Sequence, residues 1–308
     1  MRVSTVIPVY NREILVRRCL ESALRMQHSD HEIIVVDNCS TDKTWSVIQE
    51  YASRESRVRS FRNETNIGPV RNWMRGIAEA RGELCHILFS DDFVEPEFLS
   101  LAVPELRSDV GYVLVGHAKL DELGCREVST FQAQSEFTRE EILEAGVFFN
   151  PERIQLITPV NALFRTQDLR TAILSEIPNT DGIDFAGHGA GPDQLMFLLV
   201  AQRYPRVRCV DRVLVTLFSH SGSITVGAKD LRLPREWSRW HFVREYWPQV
   251  KNKYRTALYF RSWRLGGLRG LYREVRRDVG GPMDFLVAIQ IAVGALCPRR
   301  VTVHGPVR

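Results

Sequence analysis

The chain has 308 residues, of which 44% are hydrophobic and 25% are charged, with a formal net charge of +4 at pH 7. This composition is typical of globular proteins and excludes a disordered chain, a collagen-like chain and a disulfide-rich miniprotein. The six cysteines form no Cys-x-x-Cys pair, which argues against a zinc site or a disulfide framework and favours a reducing compartment. Because the N-terminus lacks the pattern of a signal peptide, we expect a cytoplasmic protein.

Strand and helix patterns alternate four times in the first half of the chain. Strands are predicted at residues 3–9, 32–37, 58–61 and 84–89, since these runs are apolar and rich in β-branched side chains. Helices are predicted after the first three strands, beginning near Ile14, Thr44 and Pro69. This alternation predicts an α/β fold with a doubly wound, mostly parallel sheet.

The second half predicts a less regular order of elements. It reads as a strand at 112–118, a helix at 138–145, an apolar stretch at 154–164, a helix opened by Gly191 to Asp193, a strand at 207–218 and a polar loop at 219–227. Several amphipathic helices follow from Pro234, which predicts a C-terminal helical extension. The apolar run 285–296 is too short to span a bilayer and suits an interfacial or buried helix.

Polar side chains follow three of the predicted strands. Asn11, Asp37 and the pair Asp91 and Asp92 each come at a strand's carboxyl end. Since ligands bind outside the carboxyl ends of parallel strands, we expect these groups to meet at one functional edge. The sequence has no Gly-x-Gly-x-x-Gly after the first strand and no P-loop, so dinucleotide oxidoreduction and P-loop phosphoryl transfer lack their usual fingerprints.

Two interpretations stay open for each acidic position. Asp37 suits a hydrogen bond from a ring N–H of a nucleotide base, or it closes an Asx turn or caps a helix. The adjacent carboxylates of Asp91 and Asp92 repel each other unless a cation or a proton lies between them, and Mg²⁺ or Mn²⁺ bound with a nucleotide diphosphate meets that need. The alternative for this pair is a turn and a helix cap.

Four motifs occur in order over roughly the first hundred residues: Val6-Ile-Pro-Val-Tyr-Asn11, Val35-Val-Asp-Asn-Cys-Ser-Thr-Asp42, Asn66-Ile-Gly68 and Phe89-Ser-Asp-Asp92. Together they resemble family 2 glycosyltransferases of the GT-A fold, and the segment from Asn66 to Trp73 is most similar to members that build bacterial surface polysaccharides. Phe89 stands where the family's common Asp-x-Asp-Asp form has its first Asp. This departure leaves open which of Asp91 and Asp92 touches the metal.

The resemblance implies an inverting enzyme with a nucleotide-sugar donor (a UDP-, dTDP-, GDP- or CDP-sugar) and a divalent metal, Mg²⁺ or Mn²⁺. The residues that it places at the donor are Pro8, Tyr10, Asn11, Asp37, Asn66, Arg71 and Asp91. It assigns the metal to Asp91 and Asp92, with His220 of a later loop as a further metal or phosphate contact.

A catalytic base is expected beyond this half of the chain. Gly191 to Gln194 resembles the family's Glu-Asp segment that opens a helix, with Pro192 in place of the Glu and Asp193 matching the Asp. A helix N-terminus stabilises a carboxylate, so Asp193 suits either a general base or a helix cap. In the first role it takes the proton of an acceptor hydroxyl as that oxygen attacks the anomeric carbon.

Two other functions are alternatives to glycosyl transfer. A sugar nucleotidyltransferase usually has a glycine-rich, Arg- or Lys-containing stretch after its first strand, and this chain has none there. A catalytically inactive binding module of the same fold would not need Asp37, Asp91, Asp92 and Asp193 together.

Charge and aromatic content divide the chain. Residues 231–308 hold 16 Lys and Arg against 5 Asp and Glu, a balance of +11, and residues 1–230 hold the other 25 and 32, a balance of −7. The first of these segments also has four of the six tryptophans. We therefore predict a glycosyltransferase domain at 1–230, with a nucleotide-binding half at 1–100 and an acceptor half at 101–230, followed by a basic, aromatic-rich helical tail at 231–308.

The tail suggests partners for the enzyme. Basic and aromatic side chains together suit a membrane surface or a polyanion. We expect peripheral attachment to the inner face of the cytoplasmic membrane and a saccharide or lipid-linked saccharide as acceptor. The alternative is that the tail packs on the catalytic domain or on a second subunit, as in a homodimer. No nucleic acid is expected as a partner.

Overall fold

The computed structural model describes residues 1–132, 134–148, 154, 158–223 and 231–259. Within them, ten strands join one mixed sheet. Their bounds are β1 Val3–Val9, β2 His31–Asp37, β3 Val58–Arg62, β4 Leu84–Ile87, β5 Phe93–Val94, β6 Val110–Asp121, β7 Arg126–Ser129, β8 Glu136–Thr138, β9 Ala162–Arg165 and β10 Arg206–Ser219.

The α-helices in the same residues fall between and after these strands. Their bounds are α1 Leu15–Leu24, α2 Thr44–Arg54, α3 Pro69–Glu79, α4 Phe98–Ala102, α5 Arg139–Phe148, α6 Thr166–Ala172, α7 Pro192–Ala201 and α8 Arg232–Tyr246, and residues 251–259 are also helical. The predicted helical extension at the C-terminal side is confirmed, whereas the predicted helix at 285–296 lies outside the described residues.

The sheet has the order β3-β2-β1-β4-β9-β6-β10-β5, with β7 beside β6 and β8 beside β10. The pairs β3–β2, β2–β1, β1–β4 and β6–β10 are parallel, while β9 runs antiparallel to both β4 and β6. Six strands therefore point the same way, and the predicted α/β fold with a mostly parallel, doubly wound sheet is confirmed. The carboxyl ends of β1, β2, β4, β6 and β10 share one edge.

Helices cover both faces of this sheet. On one face, buried residues of α1, α2 and α4 pack into a single core with the odd-numbered side chains of β1 and β2, such as Ile7 and Val35. On the other face, α3 buries Val70, Trp73 and Ile77. Residues of β2 are buried along the whole strand, as expected for a strand covered on both sides.

Gly76 lets α3 lie close to the sheet. A Cβ atom at this position would collide with Cγ1 of Val6 and would lie 3.3 Å from Cγ2 of Val36. The sequence signal for this contact is a glycine inside an otherwise amphipathic helix, which normally destabilises the helix by about 1 kcal/mol relative to Ala.

The start of the basic tail belongs to the first compact unit of the chain. That unit runs from Met1 to Phe242, and a second unit begins at Val243. In α8, the Trp237 indole donates to Asp181 at 2.7 Å and the Arg239 side chain donates to the Gly146 carbonyl at 3.1 Å. The first unit thus continues beyond the predicted boundary at residue 230, because α8 packs on elements of the preceding domain.

Among the described residues, no helix combines the length and the apolar character that a membrane-spanning helix needs.

Replacing Gly76 with Ala is expected to lower the free energy of unfolding by about 1–3 kcal/mol, because overpacking outweighs the gain in helix propensity. Urea unfolding monitored by circular dichroism measures this change. The matched control is Arg75→Ala on the same helix, whose side chain is half exposed and whose loss is expected to cost less than about 1 kcal/mol. A Gly76→Ala variant more stable than the parent would show that propensity dominates and that the close approach is not required.

Candidate active site

Sheet register brings the predicted polar groups to one edge. Val9 lies opposite Asp37 and Val6 lies opposite Ile87, with β1 parallel to both neighbours. Asn11, Asp37 and Asp91 therefore follow three adjacent strand ends. The predicted convergence at the carboxyl edge is a feature of the fold.

The turn after β1 is joined to the turn after β2. Asn11 has a left-handed backbone with φ of 50°, its amide N–H donates to Ser40 Oγ at 2.9 Å, and its Oδ1 accepts from the Thr41 amide at 2.8 Å. Pro8 is buried within β1, whereas Tyr10 is 41% exposed. Of the residues predicted in this pocket, Tyr10 thus offers an accessible ring, and Asn11 holds the two turns together.

Asp37 is fully buried and strongly hydrogen-bonded. Its carboxylate accepts from the amide and the hydroxyl of Ser40, three residues further on, so Asp37 has a local role in closing the turn after β2. The Arg62 guanidinium, at the facing position of β3, lies 3.1 Å from Asp37 Oδ2. A base N–H reaching Asp37 has to share these acceptor oxygens. Sequence reasoning missed Arg62, although the register of β2 on β3 pairs the two residues directly.

Asn66 belongs to a network of asparagine amides. Its Oδ1 accepts from Asn38 Nδ2 at 2.8 Å and from the Gly68 amide at 2.9 Å. Asn63 Nδ2 donates to both Asn38 Oδ1 and Asn72 Oδ1, at 2.9 and 2.8 Å. This network fixes the segment before α3 against the turn after β2. Asn66 therefore shapes the pocket wall.

Arg71 projects from the first turns of α3. Its side chain is half exposed and lies 3.5 Å from Glu176, which is itself largely exposed. An exposed ion pair of this kind contributes little to stability, so the guanidinium can exchange this partner for a phosphate at small cost.

The two adjacent carboxylates have different surroundings. Asp92 is 6% exposed, and its Oδ1 accepts from the Phe218 amide of β10 at 2.8 Å. Burial, reinforced by the neighbouring Asp91 charge, raises the pKa of Asp92 well above its ordinary value. The Asp91 side chain is 20% exposed, and its Oδ2 lies 3.1 Å from Nε2 of His220.

The hydrogen bonds of His220 define which ring nitrogen carries the proton. Nδ1 accepts from the Gly222 amide at 3.1 Å, so in the neutral ring the proton lies on Nε2 and points to Asp91. In this arrangement Nε2 carries the proton and the lone pair of Nδ1 accepts a hydrogen bond, so neither nitrogen is free to bind a metal. His220 can bind a metal only after the turn at 219–223 rearranges.

That turn is fastened to several strand ends. Arg12 donates to the Gly222 carbonyl at 2.8 Å, and the Ser221 amide donates to Glu122 at 3.2 Å. Ser223 closes the turn by accepting from the His220 amide. Arg12, which the sequence analysis did not single out, thus links the end of β1 to the end of β10.

The site fits a metal ion that is shared with a substrate. Within the described part of the chain, no group of three or more His, Cys, Asp or Glu side chains could hold a metal by itself. Magnesium in proteins is usually held by one or two carboxylates, with substrate phosphates and water in the other positions. The accessible carboxylate of Asp91 suits that arrangement, and the buried, amide-bonded Asp92 does not.

Asp193 lies in the first turn of α7. Gly191, with φ of 101°, precedes the helix, and both the Gly191 and Gln194 amides donate to Asp193 Oδ1 at 2.8 Å. Burial raises the pKa of Asp193 to about 6, and the positive charges of Arg235 and Arg239 limit the rise. A carboxylate with a pKa near neutrality is suited to general-base catalysis.

Trp73 connects the start of α7 with the turn at residues 90–92, the acidic turn that carries Asp91 and Asp92. Its ring lies 5.2 Å from that of Phe89, which comes just before Ser90 and Asp91. A Cβ atom on Gly189 would lie 2.5 Å from the Trp73 ring, and the Gly189 carbonyl accepts from the Asp193 amide at 3.2 Å. The start of α7, which carries Asp193, is therefore connected through the Trp73 side chain to the turn at the end of β4.

The chain is similar to known proteins in its family and its fold. Residues 4–170, just over half of the chain, match the family described as Glycosyl transferase family 2. The chain is 36% identical over 113 residues to chondroitin synthase of Escherichia coli, covering 37% of this chain and 16% of that protein. It is 31% identical over 160 residues to the GalNAc(5)-diNAcBac-PP-undecaprenol beta-1,3-glucosyltransferase of Campylobacter jejuni, covering 48% of this chain and 50% of that enzyme.

The chain thus spans half or less of the length of these curated relatives. Among solved structures, S. aureus TarS in complex with UDP-GlcNAc is similar with a TM-score of 0.65 and 18% identity, over 94% of this chain and 79% of that one. At this identity the likeness shows the fold, which is the GT-A type.

Proposed function

The chain belongs to glycosyl transferase family 2, and we propose that it is an inverting glycosyltransferase that moves a sugar from a nucleotide-diphosphate donor to a hydroxyl of a saccharide acceptor. The observation that carries this proposal is the meeting of Asn11, Asp37 and Asp91 at one edge of the sheet, with the titratable carboxyl of Asp193 linked to the turn at Asp91 through Gly189 and Trp73. An inactive binding module does not account for all four groups, and a sugar nucleotidyltransferase would usually have a glycine-rich, Arg- or Lys-containing stretch after β1, which this chain lacks.

The donor is proposed to lie along the ends of β1, β2 and β4. Tyr10 is exposed for contact with the nucleoside, and the turn held by Asp37, Ser40 and Arg62 supports the base. Arg71 is free to turn from Glu176 toward a phosphate. Since a similar fold has been solved with UDP-GlcNAc, UDP-sugars are the first donors to test, followed by dTDP-, GDP- and CDP-sugars.

Asp91 is the residue proposed to hold a divalent metal, Mg²⁺ or Mn²⁺, together with the donor's diphosphate. When bound, such an ion supplies positive charge against the negative charge that develops on the departing nucleoside diphosphate. Asp92 is proposed to be structural, holding the acidic turn to β10 through the Phe218 amide. His220 is proposed to contact the diphosphate region after it leaves Asp91.

Asp193 is proposed to be the catalytic base. Its Oδ1 is fixed by two backbone amides, and no hydrogen bond to Oδ2 occurs among the described residues. This oxygen is available to an acceptor hydroxyl, from which it takes the proton as the hydroxyl oxygen attacks the anomeric carbon. The reaction is a single displacement, in which the bond to the diphosphate oxygen breaks as the new glycosidic bond forms.

The acceptor is proposed to be a lipid-linked saccharide in the assembly of a bacterial surface polysaccharide. The support is the Campylobacter jejuni relative, whose name specifies an undecaprenol-linked acceptor, and the basic, tryptophan-rich C-terminal segment of this chain. Basic side chains near an anionic leaflet contribute about 1 kcal/mol each, so a few of them suffice for reversible attachment. We accordingly propose a cytoplasmic enzyme at the inner face of the membrane.

Asp193→Asn is expected to lower turnover by about two to four orders of magnitude, the usual contribution of a general base. Donor affinity is expected to stay near the parental value. Because burial raises the pKa of Asp193 to about 6, the parental rate should rise as the pH increases through about 6, and this limb of the profile should vanish in the variant. Release of nucleoside diphosphate in the presence of donor and acceptor measures the turnover and its pH profile. An equal loss of donor binding and turnover would instead assign Asp193 to the donor pocket.

Asp91→Asn is expected to abolish the response of transfer to added Mn²⁺ and to weaken donor binding, because the variant loses the accessible carboxylate. Asp92→Asn keeps an oxygen that accepts from the Phe218 amide and leaves Asp91 in place, so its response to Mn²⁺ is expected to stay near the parental one. Isothermal titration of UDP with and without Mn²⁺ separates the two. A parental Mn²⁺ response in Asp91→Asn would contradict the metal assignment.

Removal of residues 260–308, which hold nine arginines against three acidic residues, is expected to abolish binding to anionic vesicles while leaving the first compact unit intact. Co-sedimentation with phosphatidylglycerol vesicles at low and high salt measures the attachment. Binding of the full chain should weaken with salt. Equal sedimentation of the full and shortened chains would rule out attachment through this segment.

A further inference from the structure

Arg18 of α1 is half buried between two aromatic rings at the back of the acidic turn. Its guanidinium carbon lies 4.2 Å from the centre of the Phe93 ring and 4.5 Å from the centre of the Phe218 ring. Its terminal nitrogen donates to the Asp91 carbonyl at 3.3 Å. The guanidinium thus contacts the backbone of the acidic turn and leaves the carboxylate of Asp91 to other partners.

Burial removes water from the Arg18 guanidinium, and its neighbours must compensate for this loss of hydration. Arg18 Nε is buried and has no hydrogen-bond partner among the described residues. Desolvation lowers the pKa of Arg18, while the charges of Asp91 and Asp92 act in the opposite direction. Two ring faces and two carboxylates therefore stabilise this cation in place.

Arg18 belongs to a closed circuit of contacts with Phe218, His220 and Asp91. Phe218, which packs on Arg18, also stacks on His220 with ring centres 5.7 Å apart. His220 donates to the Asp91 carboxylate, and the Asp91 carbonyl accepts from Arg18. Through the Phe218 amide the same strand also holds Asp92. A shift of Arg18 would therefore move both the acidic turn and the turn that carries His220.

We propose that Arg18, clamped between Phe93 and Phe218, is a positioning residue that fixes the acidic turn so that the Asp91 carboxylate faces the donor diphosphate and its metal. This inference rests on the proposed function for its catalytic consequence, but the fixing of the turn can be measured without any donor. A residue of this kind acts on the ligand only through Asp91. Groups that orient a metal ligand without touching the metal typically change metal affinity by about 10–100-fold when they are removed.

Arg18→Met keeps the length and much of the apolar packing but removes the charge and the hydrogen bond to Asp91. In Arg18→Met we expect the half-saturating Mn²⁺ concentration for UDP binding to rise about 10–100-fold. Arg18→Lys restores the charge, so its half-saturating concentration is expected to lie between those of Arg18→Met and the parent. The matched control is Arg17→Met, the neighbouring residue on the outer face of α1, which pairs with Glu50 at the surface. This control should leave Mn²⁺ binding unchanged.

A second readout keeps the test independent of the metal. Hydrogen exchange of the amides at 90–93 is expected to be faster in both Arg18 variants than in Arg17→Met, compared at temperatures equally far below each melting point. Unchanged exchange at 90–93, or parental Mn²⁺ affinity in a folded Arg18→Met protein, would overturn the positioning role. If the parent binds UDP without responding to Mn²⁺, the metal part of the proposed function fails, and the exchange data still decide the role of Arg18.

Discussion

Four acidic side chains of the proposed site, Asp37, Asp91, Asp92 and Asp193, lie near an arginine that comes from another element. Arg62 of β3 pairs with Asp37, Arg18 of α1 lies behind Asp91 and Asp92, and Arg235 and Arg239 of α8 act on Asp193. Burying a carboxylate without such a partner costs several kcal/mol, so the arginines make it possible to keep acidic groups at a partly closed site. The rest of the site depends on this pairing, because the fixed carboxylates set where a diphosphate and an acceptor hydroxyl can bind.

The two adjacent aspartates have different surroundings. Asp92 is turned inward and holds the turn to β10, whereas Asp91 keeps an accessible carboxylate at the strand end. The pair therefore need not be bridged by a single cation. A protonated or shielded Asp92 removes the repulsion that two exposed neighbouring carboxylates would feel.

Much of this arrangement could be predicted from the sequence. Continuous apolar runs such as 32–37 identify strands buried on both faces, and polar residues directly after them must lie at one edge once the strands are parallel. The arginine partners could not be predicted, because each reaches its carboxylate through a tertiary contact: Arg62 through the register of β3 on β2, and Arg18 through the face that α1 turns to β5 and β10. The role of Trp73 was missed for the same reason, since its contact with Gly189 joins residues more than a hundred positions apart.

The boundary of the first unit also lay beyond the change in composition, because α8 is basic and yet packs on the domain before it.

The most direct test of the account is a crystal structure of the full chain with UDP and Mn²⁺. The account predicts the uracil beside the turn formed by Asp37 and Ser40, the diphosphate at the end of β4, and the metal on the carboxylate of Asp91, with Asp92 still bonded to the Phe218 amide. A nucleotide bound away from the ends of β1, β2 and β4, or a metal held by Asp92 with Asp91 unliganded, would contradict it.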